Sequence, residues 1–217
     1  MRTGFVVGTV LVAFAAGIAV GAQQSKDAPK GGGAGAKPAQ AAPPAGEMPP
    51  GMKEMMESAA PGPEHKELAK KIGTWKVTTR MFMDPSKPPE ESVGTSVVRG
   101  MHDGRYIFEE VKSTFMGMPF GGTAISGFNN GPKEYEYAWI DTMGTGIMTG
   151  TGKAQPDGMI VWTSRMWDPA QKGWVTSRST EKWTGPDSFV SEMFSKGPDG
   201  KEMKMMELVY ERQTAKK

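Results

Sequence analysis

Charged side chains inside predicted strands are the first candidates for chemistry in this sequence. Arg165, Arg178 and Glu207 fall in strand-like runs and not in loops. A charged strand residue that points into a core must be paired or hydrogen-bonded. If Arg178 and Glu207 point inward, they could form a buried network that orients a carboxylate ligand. If they point outward, they form cross-strand pairs on the solvated face, and the sequence alone does not choose the face.

Asp141 lies at the end of a predicted strand, in the segment from Trp139 to Gly146. A turn flanked by glycines lets a ligand approach the backbone closely. Asp141 could anchor a polar head group or act as a general acid or base, whereas an Asp before a Gly-rich sequence also caps its own turn. The residues predicted to contact a ligand are Trp139, Asp141, Met143, Arg165, Arg178 and Glu207.

The sequence supports no familiar catalytic or metal-binding pattern. His65 and His102 are the two histidines, and neither has a partner at metal-ligand spacing. The chain has no cysteine, which excludes disulfides, thiolate metal sites and a cysteine nucleophile. A Gly-x-Ser-x-Gly nucleophile elbow is also missing. We therefore predict no catalytic residue, no metal and no cofactor, and a binding protein is favoured over an enzyme.

Eighteen methionines are an unusual supply of flexible, polarizable side chains. Thioethers adapt to varied apolar ligands, so a methionine-rich pocket suits a promiscuous hydrophobic binder. Thioethers also suit monovalent copper. The spacing of the methionines follows strand alternation, which favours packing in a core over a copper site.

Predicted strands must position all of these residues. After residue 73, runs of β-branched and aromatic residues are broken about every ten positions by Gly, Pro, Asn or Asp, which indicates sequential hairpins. Tyr135, Tyr137 and Trp139 alternate with Glu134 and Glu136, so this run has one apolar face and one polar face at its start. No helical pattern long enough for a parallel crossover follows. We predict an all-β, up-and-down antiparallel barrel of about ten strands, because closure removes two exposed edges.

Two short helices are predicted before the strands. Residues 63–73 place Pro and Glu first and two lysines before a glycine, and Leu68 and Ile72 would form the buried face. Met52, Met55 and Met56, at spacings of three and four, indicate a second short helix resting on the domain.

Four stretches together resemble a known family. They are Gly73-Thr-Trp75, Met116 to Gly122, Trp139 to Gly146, and Gly197 to Glu207. From about Glu64 to Arg212 the chain resembles the family called domain of unknown function 1579. The resemblance implies a calycin-like barrel, similar in outline to lipocalins, fatty-acid-binding proteins and nitrobindins, and it implies no activity.

The triplet Gly73-x-Trp75 is also similar to the opening motif of lipocalins. In that family the tryptophan closes one end of the barrel and is covered by an arginine from a late strand. Arg212 is the residue here that could cover Trp75, through a cation–π contact of roughly 0.5–2 kcal/mol. The resemblance gives this pair a structural role.

The N-terminal residues predict export. Arg2 precedes an apolar run from Phe5 to Ala19, and Val20-Gly-Ala22 fits cleavage before Gln23. Alternatively, residues 1–22 remain as a membrane anchor, since this segment approaches the length of a spanning helix. Residues 23–63 read as a disordered linker rich in Gly, Pro and Ala, residues 64–213 as one barrel domain, and residues 214–217 as a tail.

Charge and composition limit the partners. Lys and Arg exceed Asp and Glu by 26 − 24 = 2, and the basic residues are scattered, so nucleic acid is not expected. The expected partner is a small hydrophobic or amphipathic molecule, and a membrane is expected only through an uncleaved N-terminal segment. We predict an exported carrier, periplasmic or secreted if the source is bacterial. The alternatives are an enzyme using Asp141 with neighbouring charges, or a structural envelope module that binds proteins.

Overall fold

The protein folds as a closed barrel of ten antiparallel strands. The computed structural model describes residues 51–84, 86–196 and 200–214. Each strand pairs with the next along the chain, and the last pairs with the first. The predicted all-β, up-and-down barrel is therefore confirmed. The strands are β1 (Gly73–Met81), β2 (Glu90–Met101), β3 (Tyr106–Phe115), β4 (Met118–Asn129), β5 (Glu134–Asp141), β6 (Met148–Ala154), β7 (Ile160–Asp168), β8 (Gly173–Gly185), β9 (Ser188–Lys196) and β10 (Glu202–Arg212).

Tight hairpins join the strands where the sequence places turn residues. Between β3 and β4 the chain reverses over Met116 and Gly117, whose φ angles are 48° and 76°. Two positive φ angles in succession match the twist of the flanking strands, as in a type I′ turn. Met116 is consequently held at the tip of this hairpin with its side chain exposed.

Helix α2 (Pro63–Ala69) covers one end of the barrel. Its buried residues are His65 and Leu68. The predicted pairing of Leu68 with Ile72 is wrong, because the helix ends at Ala69 and Ile72 is exposed beyond it. His65 takes that place: its Nδ1 accepts a hydrogen bond from the Gly62 amide at 2.9 Å, and its ring meets Phe128 edge-on.

Helix α1 (Met52–Ala59) lies within the stretch predicted as linker and buries none of its residues. Side chains of the barrel hold its C-terminal end. Asn130 Nδ2 donates to the carbonyls of Ser58 and Ala60 at 2.8 and 2.9 Å, and Arg105 Nε donates to the Ala59 carbonyl at 3.0 Å. Residues 1–22, predicted as export signal, and the linker before Gly51 lie outside the described residues. Among those described, no helix is both long and apolar enough to cross a bilayer.

Aromatic side chains fill the half of the barrel beneath α2, which we call the closed half. Trp75 has no exposed surface and meets Phe189 edge-on at 5.0 Å. Phe189 stacks on Tyr210 with ring centroids 4.2 Å apart. The inward aromatic residues of the closed half include Trp75, Phe128, Tyr135, Tyr137, Trp162, Trp183, Phe189 and Tyr210. Such interlocked rings give this half a dense core.

Candidate functional site

The half of the barrel farther from α2, which we call the open half, is lined differently. The strand register points every second side chain inward, as it does for Trp75, Val77, Thr79 and Met81 along β1. Inward residues of the open half keep part of their surface accessible to solvent. Its main apolar lining is Phe120, Trp139, Met148, Val175, Met193 and Met206. These inward side chains are open to solvent from the mouth, because a packed core would cover them fully.

Trp139 and Asp141 form one hydrogen-bonded unit at the mouth of the open half. The Trp139 Nε1 donates to Asp141 Oδ2 at 2.7 Å, and the Met143 amide donates to Asp141 Oδ1 at 2.8 Å. Asp141 therefore caps the turn after β5 and also fixes the indole. The ring lies flat over Gly122, where a Cβ atom would be only 2.2 Å from it. Met143 sits half-buried in that turn.

Glu109 occupies the interior between the two halves. It follows the inward residue Ile107 by two positions on β3 and faces Ala124 across the β3–β4 pair. The Ser96 hydroxyl donates to Glu109 Oε1 at 2.6 Å, and the Tyr210 hydroxyl also hydrogen-bonds to this carboxyl. Protein surrounds the side chain, yet part of its surface stays accessible. That surface faces the space inside the barrel.

A nearly buried ion pair lies close to Glu109. Lys71, just after α2, places its Nζ 2.5 Å from Glu181 Oε2, with the two side chains only 13% and 11% exposed. The charges of both Lys71 and Glu181 act on Glu109. Together with Glu109, this pair forms an interior cluster of two carboxyl groups and one ammonium group.

Burial controls the protonation of this interior cluster. Loss of hydration raises the pKa of Glu109, and the hydrogen bond from Ser96 opposes this only in part. Burial, and then the charges of Glu109 and Glu181, raise the pKa of Tyr210 well above its usual value. A carboxyl group shifted toward its neutral form can donate a hydrogen bond to a bound molecule as well as accept one.

Three of the six residues predicted to bind a ligand lie on the outer face. Arg165 stacks on the exposed Trp174 ring at 4.1 Å. Arg178 forms a two-pronged pair with Glu202 at 2.7 and 2.6 Å. Glu207 accepts from Arg80 at 2.8 Å and from Lys204 at 2.6 Å, and these two partners lower its pKa.

These three charged residues therefore do not meet Trp139 or Asp141. The register places them on the face that the sequence left open as the solvated alternative, with cross-strand partners. Of the predicted ligand contacts, only Trp139, Asp141 and Met143 lie together, at one side of the mouth.

Arg212 and Trp75 close the opposite end. The guanidinium lies 4.1 Å from the centre of the Trp75 ring. It also donates to Asp187 Oδ1 at 2.8 Å and to the Ile72 and Lys70 carbonyls at 2.8 and 2.6 Å. Gly73 is required here, since its φ is 142° and a Cβ would lie 2.7 Å from the Arg212 Nη1.

Two members of the interior cluster, Glu109 and Lys71, escaped the sequence prediction. Glu109 and Glu110 are adjacent in β3 and therefore lie on opposite faces of the strand, but the sequence alone does not show which of them faces inward. The alternation of Ile107 and Val111 around Glu109 is the signal that could have done so, because all three share one face. Lys71 gave no such signal, since it follows a helix and reaches inward from the end of the barrel.

The described residues contain no cluster of three His, Asp or Glu side chains that could hold a metal ion. The prediction of no metal concerned the whole chain and remains a prediction.

Comparison with known proteins identifies the family. The family model described as "Protein of unknown function (DUF1579)" matches residues 60–212. The chain therefore belongs to this family, as the four sequence stretches predicted. No curated protein matches the sequence.

Solved structures with the same architecture are distant in sequence. The S-type phycobiliprotein lyase CPES from Guillardia theta is 11% identical with a TM-score of 0.50, and the match covers 75% of this chain and 98% of that one. Rv2717c from M. tuberculosis is 16% identical with a TM-score of 0.48, covering 71% and 100% of the two chains. At such identities these similarities describe the fold alone.

Proposed function

We propose that this member of the DUF1579 family is a non-enzymatic carrier or sensor of a small amphipathic molecule, held in the open half of the barrel. The observation that carries the proposal is the accessible interior itself. Phe120, Trp139 and Met193 face inward and keep part of their surface accessible. An apolar molecule that covered them would be bound by the hydrophobic effect, at roughly 25 cal/mol for each Å² removed from water.

The interior cluster of Glu109, Lys71 and Glu181 lies at the base of the open half. It would contact the polar end of the ligand and determine which polar groups are accepted. Glu109, with its raised pKa, can donate or accept a hydrogen bond. An anionic ligand would meet two carboxyl groups against one ammonium group, because Lys71 is already paired with Glu181. We therefore favour a ligand with a neutral or cationic polar group and an apolar body. This replaces the carboxylate ligand considered from Arg178 and Glu207.

The flexible thioethers of the lining suit a range of ligand shapes. Met148, Met193 and Met206 lie on different strands of the open half and can adjust to the molecule between them. Specificity would then come from the few polar groups, as is usual for small-molecule sites.

The enzyme alternative has less support. Both oxygens of Asp141 are engaged, one by Trp139 and one by the turn. Its predicted charged partners, Arg165 and Arg178, lie on the outer face. A general acid or base needs a free carboxyl group aimed at the reacting atom, so this arrangement favours a positioning role for Asp141.

We also propose that the protein is exported, which rests on residues 1–22 of the sequence. N-terminal sequencing of protein from its own host tests this. A chain that begins at Gln23 is expected, and a chain that keeps Met1 in the membrane fraction would support the anchor alternative. A chain that keeps Met1 in the cytoplasm would contradict export.

Native mass spectrometry of protein purified from its host tests the carrier proposal. We expect a small-molecule adduct that Trp139→Ala removes. Arg178→Ala is the matched control, because it changes a large side chain on the outer face and should keep the adduct. An adduct that survives Trp139→Ala and disappears with Arg178→Ala would place the ligand outside the barrel and contradict the proposal.

A further inference from the structure

One side of the barrel mouth exposes large apolar side chains at the ends of three neighbouring hairpins. Met116 at the β3–β4 tip is 65% exposed, Ile147 before β6 is 59% exposed, and Trp174 on the β7–β8 hairpin is 56% exposed. Residues 116–122 and 142–147 contain no charged side chain. We call this side of the mouth the apolar rim.

The apolar rim also carries two exposed tryptophans with a cation beside them. Trp167 and Trp174 are cross-strand neighbours on the outer face and meet edge-on at 5.9 Å. Arg165 covers one side of Trp174 at 4.1 Å. Exposed indole rings accompanied by cations are typical of side chains that rest at the boundary between lipid head groups and acyl chains.

Three exposed cations lie around the apolar rim. Lys112, Arg165 and Lys172 are exposed on its outer side. Neither lysine forms an ion pair with any residue in the described ranges. Asp168, the acid of the β7–β8 hairpin, is folded onto its own turn, where it accepts from the amides of Ala170 and Gln171.

The opposite side of the mouth is different. There the charges are mixed and paired, as in Lys87 with Asp84 at 3.4 Å and Arg178 with Glu202 at 2.6 Å. The exposed cations Lys112, Arg165 and Lys172 therefore belong to the apolar rim and not to the mouth as a whole. An anionic surface would complement it, since each Lys or Arg near anionic lipids adds to the binding energy.

We propose that the apolar rim docks on a lipid bilayer that carries anionic head groups, with the mouth of the barrel turned toward the membrane. Met116, Ile147 and the two tryptophans enter the head-group region, while Lys112, Arg165 and Lys172 contact lipid phosphates. This surface adjoins the open half, so a bound amphipathic molecule could pass between the membrane and the barrel without crossing water. Docking itself does not depend on the ligand.

The absence of cysteine makes a site-specific test simple. Met116→Cys, labelled with an environment-sensitive nitrobenzoxadiazole dye, reports on the apolar rim. Met55→Cys, on α1 near the closed half, is the matched control because Met55 is also largely exposed. Full-length protein is mixed with vesicles of phosphatidylcholine, alone or with phosphatidylglycerol. We expect the dye at position 116 to brighten with the mixed vesicles and the dye at position 55 to stay unchanged.

Two pairs of substitutions, made in the Met116→Cys background, separate the contributions. Trp167→Ala with Trp174→Ala, and Lys112→Gln with Lys172→Gln, should each raise the lipid concentration needed for half of the signal by about tenfold. Lys66→Gln with Lys153→Gln removes two exposed lysines near the other end and should leave it unchanged. If an N-terminal anchor alone brought the protein to the vesicles, neither pair of substitutions at the apolar rim would change the lipid concentration needed for half of the signal.

Three results would overturn docking through the apolar rim. The first is a response at position 55 without one at position 116, and the second is no response at either position. The third is a dimer in sedimentation that the tryptophan substitutions dissociate, since that would make a second copy the occupant. Binding of a free apolar fluorophore, N-phenyl-1-naphthylamine, is measured on the same protein without vesicles. It shows separately whether the ligand proposal holds.

Discussion

The two halves of the barrel share one backbone pattern and use it for opposite purposes. In the closed half, inward rings such as Trp75, Phe189 and Tyr210 contact one another and are buried. In the open half, inward residues such as Trp139 and Met193 remain accessible. The same alternation along ten strands therefore supplies both a buried core and a partly accessible interior, and side-chain size with the α2 cover decides which.

Polar groups follow the same division. At the closed end Arg212 has its donors bound by Asp187 and two backbone carbonyls, so that end is fixed. At the base of the open half, Glu109 has Ser96 and Tyr210 as hydrogen-bond partners and keeps accessible surface. We expect stability to depend chiefly on the closed half and ligand affinity on the open half.

Trp75→Ala should have the largest effect on stability. It removes a fully buried indole from the centre of the closed half, and such truncations cost about 3–5 kcal/mol of the free energy of unfolding. Urea unfolding followed by circular dichroism measures this. Trp174→Ala is the control, because that ring is mostly exposed and should cost far less. If Trp75→Ala and Trp174→Ala lowered the free energy of unfolding equally, the proposed difference between buried and exposed rings would be wrong.

Arg212→Ala should cost about 2 kcal/mol in the same measurement, since it removes the cation over Trp75 and leaves the Ile72 and Lys70 carbonyls without their donor. Arg212→Lys should recover little of it, because one ammonium group cannot reproduce the planar fork. Full recovery with lysine would show that charge alone closes this end.

Glu109→Gln should change how stability depends on pH. Because burial raises the pKa of Glu109, the folded state holds its proton more tightly than the unfolded chain does. The stabilisation from protonated Glu109 is present below its ordinary pKa of 4.5. It is lost as pH rises through the raised pKa that Glu109 has in the folded state. Glu109→Gln should therefore be more stable relative to wild type at neutral pH than at acidic pH. An advantage that grows as pH falls would contradict the assignment.

Arg178→Ala on the outer wall should have the smallest effect, within about 0.5 kcal/mol, because its pair with Glu202 is exposed to solvent. Thermal unfolding of wild type, Arg178→Ala, Glu202→Ala and the double variant gives the coupling between them. A coupling above about 2 kcal/mol would show that the outer wall contributes as the closed half does.

The sequence was sufficient for the fold and for part of the site. Turn residues and alternation predicted the hairpins, because local chemistry determines them, and the family resemblance of Gly73-x-Trp75 led to Arg212. It was harder to predict whether a charged strand residue faces inward or outward. Arg178 and Glu109 both lie in strands that carry polar and apolar residues on each face, and only the strand pairing of the closed barrel shows that Arg178 faces outward and Glu109 inward. Lys71 could not be placed at all, because its position depends on how α2 packs across the barrel end.

The most direct test of the division between the halves is the binding of a neutral apolar fluorophore, N-phenyl-1-naphthylamine, without membranes. We expect saturable binding by wild type, at least about tenfold weaker binding by Trp139→Ala, and unchanged binding by Arg178→Ala. Both variants should remain folded by circular dichroism. No saturable binding by wild type, or equal affinity in folded Trp139→Ala, would contradict a ligand cavity in the open half.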